Sequence, residues 1–327
     1  MNRKLSYSEA IAEAQLQEMQ RDPRVFLMGL VQQDPYGSAF GQTKGISSAL
    51  GVERVLDMPI SEAAYTGAGV GAAITGMRPI VELQFSDFIT IAMDQIVQQA
   101  ANMRYMFGGQ LSVPLVVRAP TGAYLGAAAH HSHSLESWFA FIPGLKVVLP
   151  SNAYDAKGLL ISAIRDENPV LYLEHKKLYD KKTDVPEAPY TIPLGKAAVK
   201  REGKDLTIVT YSFLVSKSLE AAEALARDGI DAEVIDLRSV SPLDEETILK
   251  SVAKTGRLLI AQEAYAPCSV SSEVAAIVAE KGFDYLDAPI RRITAGFAPI
   301  PFAPVLENRV LPQTEGIVAI ARRLSEE

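Results

Sequence analysis

Cysteine is nearly absent: Cys268 is the only one in 327 residues. An internal disulfide is therefore excluded, and a reducing, cytoplasmic compartment is the expected home. An excess of positive charge is also missing. Lys plus Arg number 32 against 39 Asp plus Glu, a net charge of -7, with no basic tract. That balance argues against nucleic acid or an anionic membrane as the main partner. No apolar run is long enough to span a bilayer, which takes about 18 residues or more. The opening stretch MNRKLSYSEAIAEAQLQEMQ has no continuous apolar core and does not read as a signal peptide. What remains is 48% hydrophobic and 22% charged. Those values suit a globular chain, and the length suits two domains.

Short β-branched runs alternate with helical patterns. RVFLMG (24–29), RVLDMP (54–59), PIVELQF (79–85), PLVVRAP (114–120), KVVLP (146–150) and PVLYLEH (169–175) read as strands. Most are nearly all apolar, as expected of parallel strands covered on both faces. Helices are predicted over 6–20, where Ser6 and Glu9 have capping-box spacing, and over 62–75, 92–106 and 152–165. From Lys176 to about Pro193 the text is charged and proline-bearing and reads as an interdomain linker. A second α/β pattern follows. Its strands are DLTIVTYS (205–212), AEVIDLR (232–238) and RLLIAQE (257–263), with helices at 214–228, 244–254, 270–281 and 314–325. Gly229 and Gly256 stand where C-cap glycines belong. The expectation is α/β, two domains in tandem.

Open parallel sheets bind ligands beyond the carboxyl ends of their strands, so chemistry is sought there. His130, His131 and His133 fall in one tetrad after the strand ending at Pro120, preceded by the Gly/Ala-rich TGAYLGAAA. Imidazole is the usual proton carrier near neutral pH, and polar loop residues are the plainer alternative. The spacing is not that of helical metal ligands, and no nearby carboxylate or thiol completes a set. Glu62 opens a helix of small residues after RVLDMP. It reads either as an acid complementing the helix dipole or as a buried carboxyl of the kind that holds a proton at neutral pH. Gly67, Gly69 and Gly71 lie inside that helix rather than in a strand-to-helix turn, which disfavours a phosphate loop. Gly67 and Gly71, one turn apart, read as a close helix contact between subunits. Phe85 and Phe88 read as core ahead of a stacking surface.

Taken together, DMPISEAAYTGAGVGAAITGMRPIVELQFSDF, HSHSLESWFAFIPGLKVVLPSNAYDAKGLL and SAIRDENPVLYLEH closely resemble one family. It is the beta subunit of the thiamine diphosphate-dependent first component of 2-oxo acid dehydrogenases, a class that includes the pyruvate, branched-chain and acetoin enzymes. The resemblance continues through EVIDLRSVSPLDEETI, FDYLDAPIRRIT and LENRVLP, essentially the whole chain. It implies a transketolase-like pyrimidine-binding domain over 1–178, a linker over 179–195 and a transketolase C-terminal-like domain over 196–327. It also implies a partner. The Gly-Asp-Gly and Asn-bearing segment that binds Mg2+ and the diphosphate is not in this chain, and in the family it lies on an alpha subunit. An α2β2 heterotetramer is expected, delivering the acyl group to a lipoyl acyltransferase.

The resemblance also implies roles. Glu62 hydrogen-bonds N1' of the aminopyrimidine. Gln84 and Phe88 line its pocket, with Phe88 ahead of Phe85 as the stacking ring. His131 helps pass the acyl group to the lipoyl dithiolane. Leu115, Ala163, Ile164, Asp166 and Asn168 match a potassium site of backbone carbonyls found in some members. Three departures stand out. Leu30 replaces an acidic residue of a proposed proton path between active sites, His133 stands where Gln is commoner, and AGFAPIPFAP lacks an acid before its first proline. The expected function is the beta subunit of a pyruvate-type or acetoin dehydrogenase. One rival is a split transketolase-like or acyl-transferring synthase without lipoamide, supported by Leu30. The other is a non-catalytic assembly subunit, against which Glu62, Phe88 and His131 together argue.

Overall fold

The computed structural model describes residues 3–327. Residues up to Thr121 together with Trp138–Leu194 form one compact unit, and Gly122–Ser137 with Gly195–Glu327 form the other. A sixteen-residue stretch that is continuous in sequence with the first unit therefore belongs to the second.

In the first unit β1 (Arg3–Ser6) leads into α1 (Tyr7–Arg21). Ser6 Oγ accepts the Glu9 N–H at 3.2 Å and the Glu9 carboxylate accepts the Ser6 N–H at 2.7 Å. That is the reciprocal cap the sequence predicts. Then come β2 (Val25–Gly29), α2 (Ile46–Leu50), β3 (Val55–Asp57), α3 (Glu62–Ile74) and β4 (Arg78–Glu82). After these follow α4 (Ala101–Met106) and β5 (Val116–Thr121). The chain re-enters this unit within α5 (Glu136–Ala140) and continues through β6 (Lys146–Val148), α6 (Ala153–Arg165), β7 (Val170–His175) and β8 (Lys182–Val185). Strands β6, β7, β5, β4, β2 and β3 lie side by side in that order, all parallel. Their nearly all-apolar runs are buried along most of their length, as covering a parallel sheet on both faces requires.

Two segments differ from the sequence reading. The helix predicted over 92–106 opens in wide π-helical turns, Asp94–Ala100, before α4. Asn102 Nδ2 donates to the Val97 carbonyl at 3.1 Å, a side-chain insertion into the ladder of the kind that widens a helix. The stretch read as a linker is built into the first unit. β8 pairs antiparallel with β1, and the buried Lys157 ammonium donates to the carbonyls of Pro186 and Glu187 at 2.7 and 2.9 Å. Local periodicity cannot announce a short strand whose partner lies at the other end of the domain.

Within this chain the glycines of α3 differ in how closely they are packed. A Cβ on Gly71 would meet nothing within 4 Å, and one on Gly67 would reach the Gln95 side chain. The close approach is at Gly69, where a Cβ would lie 2.6 Å from Val81 Cγ2 on β4. Gly69 lets α3 lie flat on the sheet. Gly69→Ala is expected to destabilise the protein by about 1–3 kcal/mol through overpacking, read as a lowered thermal midpoint, whereas Gly71→Ala raises or preserves it.

The second unit holds β9 (Ala198–Arg201), β10 (Leu206–Thr210), α7 (Leu214–Arg227), β11 (Ala232–Asp236), the short β12 (Ser239–Ser241) and α8 (Glu245–Thr255). It ends with β13 (Leu258–Tyr265), α9 (Val270–Lys281), β14 (Arg291–Ala295), α10 (Pro304–Val310) and α11 (Thr314–Glu326). Its sheet runs β14-β13-β10-β11-β9, parallel except for β9. Gly256 caps α8 in the left-handed conformation, φ 69°, the role its position predicts.

Candidate active site

Strands β2, β3 and β4 are parallel neighbours, so their carboxyl ends share one edge of the first sheet. Glu62, at the start of α3, is 6% exposed. Its carboxylate has no hydrogen bond or ion pair among the described residues. One turn on, Tyr65 is buried, and its hydroxyl has no partner among the described residues. Burial pushes the Tyr65 phenol up, and the carboxylates of Glu62 and Glu82 add to the shift. That electrostatic influence puts the first turn of α3 near the end of β4. Buried polar groups are normally hydrogen-bonded. A carboxyl and a hydroxyl group left without partners among the described residues on one helix turn therefore fit a heterocycle with ring-nitrogen and amino functions.

Gln84 and Phe85 come just after β4, beyond the buried Leu83, and Phe88 lies in the single turn Ser86–Thr90. All three are half-buried. Phe85 packs edge-to-face with Phe88 (ring centres 5.8 Å apart) and with Phe40 (6.1 Å). The Lys176 ammonium lies 5.5 Å from the Phe85 ring centre. Phe85 is thus engaged on several sides by the protein itself.

Beneath this edge lies a charge cluster. Arg118 on β5, 0% exposed, donates to Glu82 at 2.9 Å, to Glu174 at 2.6 and 3.0 Å, and to Gln15 at 2.9 Å. Tyr179 donates to Glu174 at 3.0 Å, and Ser38 donates to Glu82. Burial opposes the charge on Arg118, but the two carboxylates outweigh it and hold the guanidinium above its usual pKa. Glu174 is pushed up by burial, against the pull of Arg118. Two carboxylates thus share one guanidinium inside the sheet.

The histidine tetrad belongs to the second unit. His131 ends the turn Ala129–His131, in the stretch Gly122–Ser137. Glu136 in that stretch is buried and accepts the Tyr211 hydroxyl at 2.6 Å. Burial raises Glu136 to about 7, opposed by that hydrogen bond. The folded state thus holds this proton more tightly than the unfolded chain, whose value is near 4.5. Stability from this group is full below pH 4.5 and is lost as pH rises to 7, by on the order of 3 kcal/mol. Glu136→Gln is expected to flatten that fall, seen as a thermal midpoint that changes less than wild type between pH 5 and 7.

Residues 3–182 match the transketolase pyrimidine-binding domain family, and residues 195–317 match the transketolase C-terminal domain family. The chain is 51% identical to the beta subunit of acetoin:2,6-dichlorophenolindophenol oxidoreductase of Bacillus subtilis, across 99% of this chain and 98% of that one. It is 47% identical to the 2-oxoisovalerate dehydrogenase beta subunit of the same organism, across 98% and 99%. Identity is 44% to the mitochondrial pyruvate dehydrogenase E1 beta subunit of Dictyostelium discoideum, across 99% and 92%. The chain belongs to the family of 2-oxo acid and acetoin dehydrogenase beta subunits. A solved split-gene transketolase, an inactive beta4 tetramer, superposes with TM-score 0.78 over 98% of both chains at 24% identity, which shows the shared fold.

The family's cofactor is thiamine diphosphate, and the two orphaned groups at Glu62 and Tyr65 fit it. In this beta-subunit fold the positions matched to potassium gather where α6 ends. The Leu115 carbonyl accepts the Val170 N–H at 2.9 Å, and the Ala163 carbonyl accepts the Asp166 N–H at 3.2 Å. The Ile164 and Asp166 carbonyls accept from the Arg78 guanidinium at 2.9 and 2.7 Å, and Asn168 Nδ2 donates to Asp166 Oδ1 at 3.0 Å. Arg78 therefore already places a fixed positive charge on two of these carbonyls. Leu30 is buried, and its carbonyl accepts from Gln32 Nε2 at 2.8 Å.

Tyr65 and the cluster of Glu82, Arg118 and Glu174 did not emerge from the sequence reading. Both had a signal. Tyr65 is the one large polar side chain one turn from Glu62 in a helix otherwise made of small residues, and the three charges interrupt strands that are otherwise apolar.

Proposed function

We propose that this beta subunit supplies the pyrimidine-binding half of an acetoin dehydrogenase active site, with branched-chain 2-oxo acids and pyruvate as the further donors to compare. Acetoin stands first because relatives named for acetoin are 49–51% identical end to end, against 44–46% for those named for pyruvate. An alpha subunit, in an α2β2 heterotetramer, provides the Mg2+ and diphosphate site. A lipoyl acyltransferase receives the acyl group, and the assembly works in the cytoplasm. No helix among the described residues is long and apolar enough to cross a membrane.

Thiamine diphosphate, when bound, supplies the electron sink that lets a carbon–carbon bond beside a carbonyl break. Glu62 hydrogen-bonds ring nitrogen N1' and sets the protonation of the aminopyrimidine. Gln84 and Phe88 orient that ring, Phe88 by stacking, with Phe85 behind it. His131 carries a proton during transfer to the dithiolane sulfur. The observation that carries the reading is Glu62, a buried carboxylate without a hydrogen-bond partner among the described residues, at the carboxyl edge of a parallel sheet.

The test uses the chain co-purified with its alpha partner from its own host. Reduction of 2,6-dichlorophenolindophenol is followed with thiamine diphosphate and Mg2+, offering acetoin, pyruvate and branched-chain 2-oxo acids in turn. Cofactor-dependent turnover is expected with acetoin. A complex that binds the cofactor yet oxidises none of these donors would remove the dehydrogenase reading in favour of a split acyl- or ketol-transferring synthase.

A further inference from the structure

The loop that carries His131 is held by two carboxylates to which the chemistry above gives no task. The Gly122 N–H donates to the His133 carbonyl at 3.3 Å, closing the segment on itself. Within it the backbone is left-handed at Gly122 (φ 83°), Tyr124 (66°), Gly126 (65°) and Ala128 (58°). Non-glycine residues take that conformation only where their surroundings impose it.

Glu307 on α10 is 2% exposed. Its carboxylate accepts the Gly126 N–H through both oxygens, at 3.0 and 3.2 Å, its one hydrogen-bond partner among the described residues. Glu263 on β13 accepts the Ala123 N–H at 2.5 Å and the Ser134 hydroxyl at 3.3 Å. The Tyr124 hydroxyl donates to the Pro312 carbonyl at 2.7 Å, and Ala123 packs with Ala295, Ile300 and Leu311. A Cβ on Gly126 would come to 3.2 Å from the Phe302 carbonyl, so the backbone lies tight against the start of α10. Burying a carboxylate is costly, and core packing alone gives no reason for one at Glu307. Charge-assisted bonds to the loop amides give that reason.

We propose that Glu307 and Glu263 are positioning residues for His131, holding the amides of Gly126 and Ala123 so that the strained loop presents the histidine for acyl transfer. The inference rests on the role proposed above for His131. Because the carboxylates act through the backbone, their effect is on where the imidazole sits and not on its identity as a proton carrier.

The test compares Glu307→Leu, Glu307→Gln, His131→Ala and the double variant His131→Ala/Glu307→Leu, each assembled with the alpha partner. Amide hydrogen exchange of peptides covering 122–133 is expected to rise about tenfold or more in Glu307→Leu, with the strands of the first sheet unchanged. Glu307→Gln keeps an oxygen acceptor and is expected to restore most of that protection. Transfer of the acyl group to a lipoylated acceptor domain is expected to fall about tenfold in Glu307→Leu, in kcat rather than in KM for the donor. On top of His131→Ala the same change is expected to cost nothing further, because both act through one group. Unchanged exchange at 122–133 would overturn the anchoring. A loosened loop whose transfer loss simply multiplies with that of His131→Ala would overturn the link to His131. If Glu307→Leu does not fold, Glu307→Ala and Glu263→Ala, which remove the acceptor, are compared in the same way, and wild-type exchange in both overturns the anchoring. A wild-type complex without lipoyl-dependent transfer would remove the role of His131, and the positioning role with it, while the exchange measurement still decides the anchoring.

Discussion

Replacing Glu62 with Gln is expected to lower cofactor-dependent turnover of the α–β complex about a thousandfold, in the range set by loss of a positioned acid–base group. The side chain is nearly isosteric, so packing at the start of α3 is preserved. What is lost is a carboxyl able to exchange a proton with ring nitrogen N1'. Stability should move the other way. Glu62 is buried with no hydrogen-bond partner among the described residues, and an unpaired buried charge is costly. The thermal midpoint of Glu62→Gln without cofactor is therefore expected to match or exceed that of wild type. Dye reduction and thermal unfolding, measured on one preparation, check both parts. Turnover within tenfold of wild type would show that Glu62 is a structural acid and would revive the assembly-subunit alternative.

Arg118→Leu is expected to be the most damaging single change to the fold, costing about 3–5 kcal/mol and on the order of 10 °C in the thermal midpoint. Removing the guanidinium leaves Glu82 and Glu174 buried and close with no cation between them, and among the described residues Tyr179, Ser38 and Gln42 hydrogen-bond them. Lysine should rescue little, since one ammonium cannot reproduce the two-pronged contact with Glu174 made at 2.6 and 3.0 Å. The defect carries a pH signature. In the variant Glu174, already pushed up by burial, loses the opposing pull of Arg118, so its folded-state pKa lies above that of the unfolded chain. Stability is then recovered below the unfolded value and lost as pH rises through the folded one. Urea unfolding at pH 5 and pH 7.5 should show the gap from wild type narrowing at the lower pH. A gap that is constant with pH would mean the damage is a cavity rather than stranded charge.

These variants probe features of different legibility. Glu62 could be singled out from a carboxylate after a strand, ahead of a run of Ala and Gly, because strand ends and helix starts are written in local pattern. The capping box at Ser6 and Glu9, the left-handed Gly256 and the apolar parallel strands were legible for the same reason. The close approach at Gly69 was not. Its neighbours in the helix look alike, and only the seating of α3 on Val81 tells them apart.

The sequence by itself determined two α/β patterns, the family, and the residue types offered to a cofactor at the carboxyl ends of the strands. Each is encoded by a few neighbouring side chains or by a long motif. The tertiary structure alone decided which distant charges meet. Glu82, Arg118 and Glu174 lie on β4, β5 and β7, adjacent only because the sheet runs β7-β5-β4, an order that hydrophobic periodicity does not carry. It likewise assigned Gly122–Ser137 to the second unit and joined Lys182–Val185 to the first strand. Such contacts are set by the burial of whole elements against one another, and the free energy that chooses among them is spread over residues far apart in the chain.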